Sequence, residues 1–249
     1  MRLLKVYIMI NLCVLCNYAL ADSDKLNSID EVITKFREIT TEFRKEKNHR
    51  LIFATTYLDS TVELKREIEK NSFYHPVWVE SIVVDFANLY IGALKNYDQQ
   101  KKTAISWDAA FKINDEKYHK LSVQLILAMN AHIYHDLPIA LVKSFDRGYE
   151  PELVKRDFYK MNDAFERLTP KFMALLYDLE KLFDVNKKGI KDWVVFQVVK
   201  AMRSDAWDLG IKLYEKLPYD RSIMLKKIDQ EAGENAANLL KGRFLIPAH

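Results

Sequence analysis

The sequence predicts an all-α fold: a single-domain, multi-helix bundle around a buried central helix. Apolar residues recur at helical spacing in every long segment. Glycine is scarce, with 6 in 249 residues, and the breaks between helical segments hold most of the glycines and prolines. A composition of this kind favours helices over a turn-rich β fold.

The first 21 residues are typical of a secretory signal peptide. Arg2 and Lys5 form a basic start, an apolar stretch follows at 6–18, and Ala19-Leu20-Ala21 is a small-x-small cleavage site. We therefore predict cleavage after Ala21, a mature helical domain of residues 22–249, and a secreted or periplasmic location. The apolar stretch is short for a membrane span, so no stable span is expected after cleavage. The alternative is an uncleaved N-terminal anchor.

Cysteine usage and charge exclude several classes of function. Both cysteines, Cys13 and Cys16, lie in the signal segment, so the mature chain has no disulfide, thiolate nucleophile or cysteine-ligated metal. Without Arg2 and Lys5, the 38 basic residues fall to 36 against 35 acidic ones, a balance of +1. A nearly neutral chain gives no reason to expect a nucleic-acid partner.

Local signals divide the first hundred residues into three helices. Ser28 followed by Glu31 matches a capping box at the start of the first helix, which apolar spacing extends to about Asn48. A second helix is predicted over about 50–70. The third begins at Pro76, because proline suits the first turn of a helix.

The remaining helices follow from the same periodicity and from proline positions. They are predicted at about 107–111, 121–142, 151–186, 190–217 and 220–240, with exposed polar segments at 98–103 and 114–116. Pro170 is expected to kink or divide the helix that starts at Pro151.

The central stretch, 121–142, is apolar in its first half except for Ser122 and Gln124, and its second half contains a cluster of polar side chains. At about 100° per residue, His132 and Asp136 share a face at i,i+4, so their side chains can meet. Asn130 points to the other side of a regular helix and joins them only if the helix is distorted there. Pro138 disfavours helical geometry at the residue before it, so a kink or break is expected after Asp136.

Two hypotheses account for the histidine–aspartate pair. In the first, His132 and Asp136 bind a metal or act as an acid/base pair. In the second, Asp136 accepts a hydrogen bond from His132 and both are satisfied in the core. The chain has no GxGxxG, P-loop, GxSxG, HExxH or di-iron ExxH pattern. The dipeptide His135-Asp136 leaves a metal-dependent hydrolase as a further alternative.

A charged residue inside the third helix also needs a partner. Asp85 interrupts an apolar run, and charged residues are seldom buried unless paired. His132 and Arg203 are its candidate partners. We predict that Asp85, Asn88, His132, Asp136 and Arg203 converge around one point, because mutual satisfaction is the least costly arrangement of polar groups in apolar helices. The cluster is either a catalytic or small-molecule-binding pocket or, in a non-enzymatic exported module, a structural network that fixes the register of the helices.

The predicted chemistry of this site follows from its charges. His132 would act as general base, a carboxylate would orient it, and Arg203 would anchor an anionic group. With a neutral imidazole the group is net negative, so a proton is retained or a cation is bound. A divalent metal is therefore the candidate cofactor, and a small molecule is the candidate partner.

Several segments together resemble an uncharacterised family, known mainly from bacterial genomes and registered as a domain of unknown function. They are VVDFANLYIGAL, the Trp107–Phe111 pair, LILAMNAHIYHDLPIAL, RDFYKMND and RSDAW. The resemblance covers about residues 50–217, and its most specific part is the NAHIxxDLP-like motif at 130–138. It implies a helical fold and no particular activity.

The family pattern, carried over by position, marks residues on several predicted helices. These are Asp85, Phe86, Ala87, Asn88, Tyr90, Trp107, Asn130, His132, Asp136, Asp157, Phe158, Asn162, Arg203 and Trp207. His135 falls where the family often has a different polar residue, which argues against the metal-dependent hydrolase.

Overall fold

The computed structural model describes residues 25–112, 121–182 and 192–241, with side chains except at 180, 182 and 192–198. Within these ranges the chain forms helices and no strand, which confirms the all-α prediction. The predicted signal peptide and the polar turn at 114–116 lie outside the described residues. The helices are α1 (Ile29–Lys45), α2 (Leu51–Glu69), α3 (Pro76–Asp98), α4 (Ile105–Phe111), α5 (Leu121–Asp146), α6 (Pro151–Leu182), α7 (Asp192–Tyr214) and α8 (Pro218–Leu240).

Helix starts follow the local signals of the sequence. The Ser28 hydroxyl accepts a hydrogen bond from the backbone N–H of Glu31 at 3.2 Å, and α3 begins at Pro76. Pro170 does not divide α6, which is continuous to Leu182. Its side chain is exposed, so the carbonyl that loses its donor can be hydrated there.

The apolar core has two parts, and α5 contributes to both. The first is formed by α1 to α4 with the start of α5 and includes Phe36, Phe53, Tyr90 and Trp107. The second joins the end of α5 mainly to α3, α6 and α7, with a few residues of α1 and α2. It includes the contact between Phe158 and Trp207, whose ring centroids lie 4.7 Å apart. The helix therefore runs through the middle of the bundle, as predicted.

Among the described residues, two helices are long and apolar enough to cross a membrane, by length and composition only. They are α3, Pro76–Asp98, and α5, Leu121–Asp146. In the fold, 61% and 72% of their most apolar windows are buried. The core helices of a folded bundle can be equally long and equally apolar.

The middle of α5 is a π-helix, Asn130–Asp136, between α-helical stretches Leu121–Met129 and Leu137–Asp146. The backbone N–H of Leu137 donates to the carbonyl of His132, five residues earlier. Of the kink or break expected after Asp136, the break is wrong, because the helix continues to Asp146. Pro138 lies at the start of the second α-helical stretch, where a missing N–H and a fixed φ are tolerated.

Candidate functional site

Asp136 is the centre of a buried hydrogen-bonded cluster. Its Oδ2 atom accepts from Trp107 Nε1 at 2.9 Å and from His132 Nδ1 at 3.2 Å, and its Oδ1 atom accepts from His135 Nδ1 at 2.7 Å. All four side chains are buried. Since an ionised carboxylate can only accept, both histidines carry hydrogen on Nδ1. The predicted contact between His132 and Asp136 is confirmed.

The donors around Asp136 keep it ionised. Burial alone would raise its pKa, but the hydrogen bonds from His132 and His135 outweigh burial and hold the pKa of Asp136 below its ordinary value. A carboxylate with two or three N–H donors is a common way to stabilise a buried negative charge.

The π-helix places both histidines on the same carboxylate. A π-helix is wider than an α-helix and occurs frequently at functional sites. Asn130, at its start, donates from Nδ2 to the carbonyl of Ala232 in α8 at 2.8 Å. The helix is therefore distorted at Asn130, which was the condition for Asn130 to join His132 and Asp136. Asn130 nevertheless bonds to α8 and does not contact Asp136.

His135 extends the cluster to the last helix. Its Nε2 atom lies 4.0 Å from Oδ1 of Asp229 in α8, and the same carboxylate oxygen accepts the backbone N–H of Ile105 at 2.7 Å. Polar contacts of His135 and Asp229 therefore link α4, α5 and α8, which makes this half of the cluster structural.

His132 has a different environment. The ring of Phe86 stacks on it with centroids 3.4 Å apart, and the rings of Phe53 and Tyr57 meet it edge-on at 5.4 and 5.1 Å. Its Nε2 atom is buried and has no hydrogen-bond partner among the described residues. Burial lowers the pKa of His132 despite the opposing effect of Asp136. The imidazole is therefore neutral, with a lone pair on Nε2.

An apolar cavity, here called the central cavity, lies between α2, α3, α5, α6 and α7. Its volume is about 130 Å³, and its wall includes His132 and Arg203 among mainly aliphatic and aromatic side chains. The wall also has hydroxyl groups on α2, each of which donates to the carbonyl four residues earlier; these are Thr56, Ser60 and Thr61. The imidazole and the guanidinium are therefore the polar groups of the wall best suited to a ligand.

Arg203 is buried without a carboxylate partner among the described residues. Its Nε atom donates to Asn162 Oδ1 at 2.7 Å, and Nη2 donates to the carbonyl of Phe158 at 3.1 Å. Its guanidinium carbon lies 4.4 and 4.9 Å from the ring centroids of Phe158 and Phe165. Burial lowers the pKa of Arg203 to about 9, so it remains charged at neutral pH.

Asp85 has partners other than the predicted ones. It pairs with Lys143, 2.5 Å from Oδ1, and with Arg147, both in the last turn of α5 or just after it. The expected pairing with His132 or Arg203 is wrong. Lys143 and Arg147 could have been found from their i,i+4 spacing, which places them on one face of a helix.

Asn88 anchors the segment before α1. Its Oδ1 atom accepts the backbone N–H of Leu26 at 3.0 Å, and Nδ2 donates to the carbonyl of Leu26 at 2.9 Å. The five predicted residues therefore do not form one contact cluster. His132 contacts Asp136 directly, His132 and Arg203 share the wall of the central cavity, and Asp85 and Asn88 bond elsewhere.

Two neighbours of the site were not predicted in their present roles. Trp107 was marked only by family pattern, but it supplies one of the three donors to Asp136. Phe86 is also a residue of the family pattern, and its ring covers one face of His132. No sequence signal connects either residue to α5, because both contacts arise between helices.

Metal ligands do not cluster in the part of the chain that the structure describes. No group of three or more His, Cys, Asp or Glu side chains there is arranged to hold a metal ion. Residues 25–112, 121–182 and 192–241 therefore offer no candidate ligand set for a divalent metal.

A comparison with known protein families matches residues 29–242. The chain belongs to the family of unknown function DUF5995. This membership confirms the resemblance seen in the sequence and extends it in both directions beyond 50–217. The expected bacterial origin stays a prediction. No curated protein and no solved structure matches the chain.

Proposed function

We propose that this member of the family binds a small, largely apolar molecule in the central cavity, with a hydrogen bond to His132. The observation behind the proposal is that an apolar cavity has in its wall a buried imidazole whose Nε2 lacks a partner among the described residues. Buried polar atoms nearly always have a partner, and an unmet one costs about 1–3 kcal/mol. A ligand with a hydroxyl group would supply the missing bond.

The size of the cavity limits the ligand. Its volume of about 130 Å³ is close to that of an engineered apolar cavity of about 150 Å³ that binds benzene. A ligand body the size of one six-membered ring, or a short alkyl chain, fits this space. Apolar walls with a few placed polar groups are typical of small-molecule sites.

Binding is favoured over covalent catalysis by the state of the nearby hydroxyl groups. A nucleophile must lie within hydrogen-bonding reach of its base, whereas the hydroxyls of Thr56, Ser60 and Thr61 donate to backbone carbonyls of their own helix. General-base catalysis on a bound substrate is the second candidate. It is favoured by Asp136, which orients His132 so that the Nε2 lone pair is available.

Binding is tested by titrating the purified protein with toluene and with benzyl alcohol, followed by NMR. Both should give saturable shifts of cavity resonances, and benzyl alcohol should bind more tightly because its hydroxyl can donate to Nε2. A net hydrogen bond of about 0.5–1.5 kcal/mol corresponds to roughly a two- to tenfold difference. Absence of saturable shifts with both compounds would leave the cluster as a structural network.

Two substitutions at His132 test the roles of its two ring nitrogens separately. In His132→Asn the amide can still donate to Asp136 but has no atom at the Nε2 position. In His132→Gln the amide extends to that position. The first variant should bind toluene and benzyl alcohol equally, and the second should retain part of the preference. An unchanged preference in His132→Asn would contradict the role given to Nε2.

We further propose that the protein is exported after cleavage following Ala21 and has no membrane span in its mature form. The basic start, apolar stretch and small-x-small site of the first 21 residues support this. Intact-mass measurement of protein recovered outside the cytoplasm should give a chain that begins at Asp22. A mass that includes residues 1–21 would favour the uncleaved anchor.

A further inference from the structure

Among the buried charges of the described residues, Arg203 differs in how it is neutralised. Asp85 pairs with two cations, Lys143 and Arg147. Asp136 accepts three N–H donors. Asp157 accepts the backbone N–H groups of Tyr74 and His75 at 3.0 and 2.6 Å and also lies 3.2 Å from the His75 ring. Arg203 has no carboxylate partner among the described residues, and its hydrogen bonds go to an amide oxygen, a carbonyl and a sulfur.

The neutral contacts of Arg203 hold its guanidinium in place but leave its charge unbalanced. The guanidinium is surrounded by an amide oxygen, a carbonyl, the sulfur of Met161 at 4.0 Å and two aromatic faces. Burying a charge without an opposite charge is costly. Cation–π contacts offset part of that cost, and they also fix the plane of the guanidinium.

Hydrogen-bonding capacity also remains on this side chain. A guanidinium has five N–H groups, and the bonds of Arg203 within the described residues start from Nε and Nη2. The two hydrogens on Nη1 have no acceptor there. The Nη1 group can therefore still donate to a carboxylate, and the two-point geometry that arginine favours would use Nη2 as well, in place of its long contact with the sulfur of Met161.

We infer that the ligand of the central cavity is a monocarboxylate with a small apolar body, anchored by Arg203. This inference rests on the proposed binding function, because Arg203 and His132 line the same cavity. A monoanion balances the single buried cation. A phosphate monoester would bring nearly a second negative charge, and the described part of the wall has no second cation to balance it.

His132 supports the same ligand class in a second way. It is neutral, because burial lowers its pKa, so it adds no positive charge to the cavity. A carboxylate that carries a hydroxyl on its apolar body can bind Arg203 with one group and donate to Nε2 with the other. Arg203 thus determines the charge of the ligand, and His132 determines whether a hydroxyl is favoured.

The experiment compares three compounds with the same aromatic ring at pH 7.4 by calorimetry: benzoate, benzyl alcohol and benzylamine. Benzoate should bind about tenfold or more tightly than benzyl alcohol, because a charge-assisted bond is about twice as strong as a neutral one. Benzylamine should not bind, since its cation would meet Arg203. The Arg203→Met variant should lose the preference for benzoate over benzyl alcohol, so that the ratio of the two affinities falls to about one or below.

The Arg203→Lys variant is the matched control. It keeps the charge but not the planar fork, so it should retain a weaker preference for benzoate over benzyl alcohol. The comparison of the three compounds on the unchanged protein remains decisive even if a variant does not fold.

The possible failures are distinct. Binding of benzyl alcohol with equal or weaker binding of benzoate would overturn the carboxylate and leave the proposed binding function intact. Binding of neither compound would overturn both. A benzoate preference that survives in folded Arg203→Met would show that another group anchors the anion, and it would refute the role of Arg203.

Discussion

Replacement of Asp136 by alanine should destabilise the protein more than any exposed substitution, because three buried donors lose their acceptor. They are Trp107 Nε1, His132 Nδ1 and His135 Nδ1. His135 can move its hydrogen to Nε2, which faces Asp229 at 4.0 Å, so it is partly rescued. The indole cannot do so, and a hydrogen moved to Nε2 of His132 has no acceptor among the described residues.

Two orphaned donors set the expected size of the effect. At about 1–3 kcal/mol for each, the Asp136→Ala variant should lose roughly 2–6 kcal/mol of unfolding free energy. Asp136→Asn should lose only about 1 kcal/mol, because its amide oxygen still accepts from Trp107 and His132. Its NH₂ group can donate to His135 once that ring has moved its own hydrogen.

Urea unfolding followed by circular dichroism measures both losses, with the slope m expected to stay constant. The matched control is Asp108→Ala, which removes an exposed carboxylate that pairs with Lys112 at 2.7 Å; it should change stability by no more than about 0.5 kcal/mol. Equal stabilities of Asp136→Ala and Asp136→Asn would refute the acceptor role assigned to Asp136.

Three further predictions concern pH, charge pairing and helix contact. Burial places the pKa of folded His132 below its ordinary value of 6.5, so the unfolded chain binds this proton first and stability should fall as the pH drops below about 6.5. The urea midpoint of His132→Asn should decline less steeply with falling pH than that of the unchanged protein, and an identical decline would contradict the assignment. Asp85→Ala should lower the free energy of unfolding in urea by only about 1 kcal/mol, because Lys143 and Arg147 are half exposed and water can replace their partner. A loss above about 3 kcal/mol would contradict this prediction. Gly233→Ala should lower the melting temperature, because the new Cβ would lie 2.5 Å from Cγ2 of Ile105, and this clash should outweigh the helix preference of alanine over glycine, about 1 kcal/mol. A higher melting temperature would show that α4 and α8 can separate at no cost in free energy.

The starts of two helices and the contact between His132 and Asp136 could be predicted from the sequence, because each depends on residues that are close together in the chain. Ser28 and Pro76 are start signals that act on the nearest turn, so the beginnings of α1 and α3 could be predicted from neighbouring residues. The contact of His132 with Asp136 could be predicted for the same reason, since i,i+4 side chains are neighbours in nearly any helix.

The groups that meet across helices could not be predicted, because their contacts depend on how the helices pack. Asp85 was expected to reach His132 or Arg203, yet the packing of α3 against the end of α5 brings it to Lys143 and Arg147. The π-helix, the neutral surroundings of Arg203 and the central cavity are equally matters of packing. Spacing along the chain determines which side chains share a face of a helix, but the rotation and crossing of helices, set by the fit of whole surfaces, determine what that face meets.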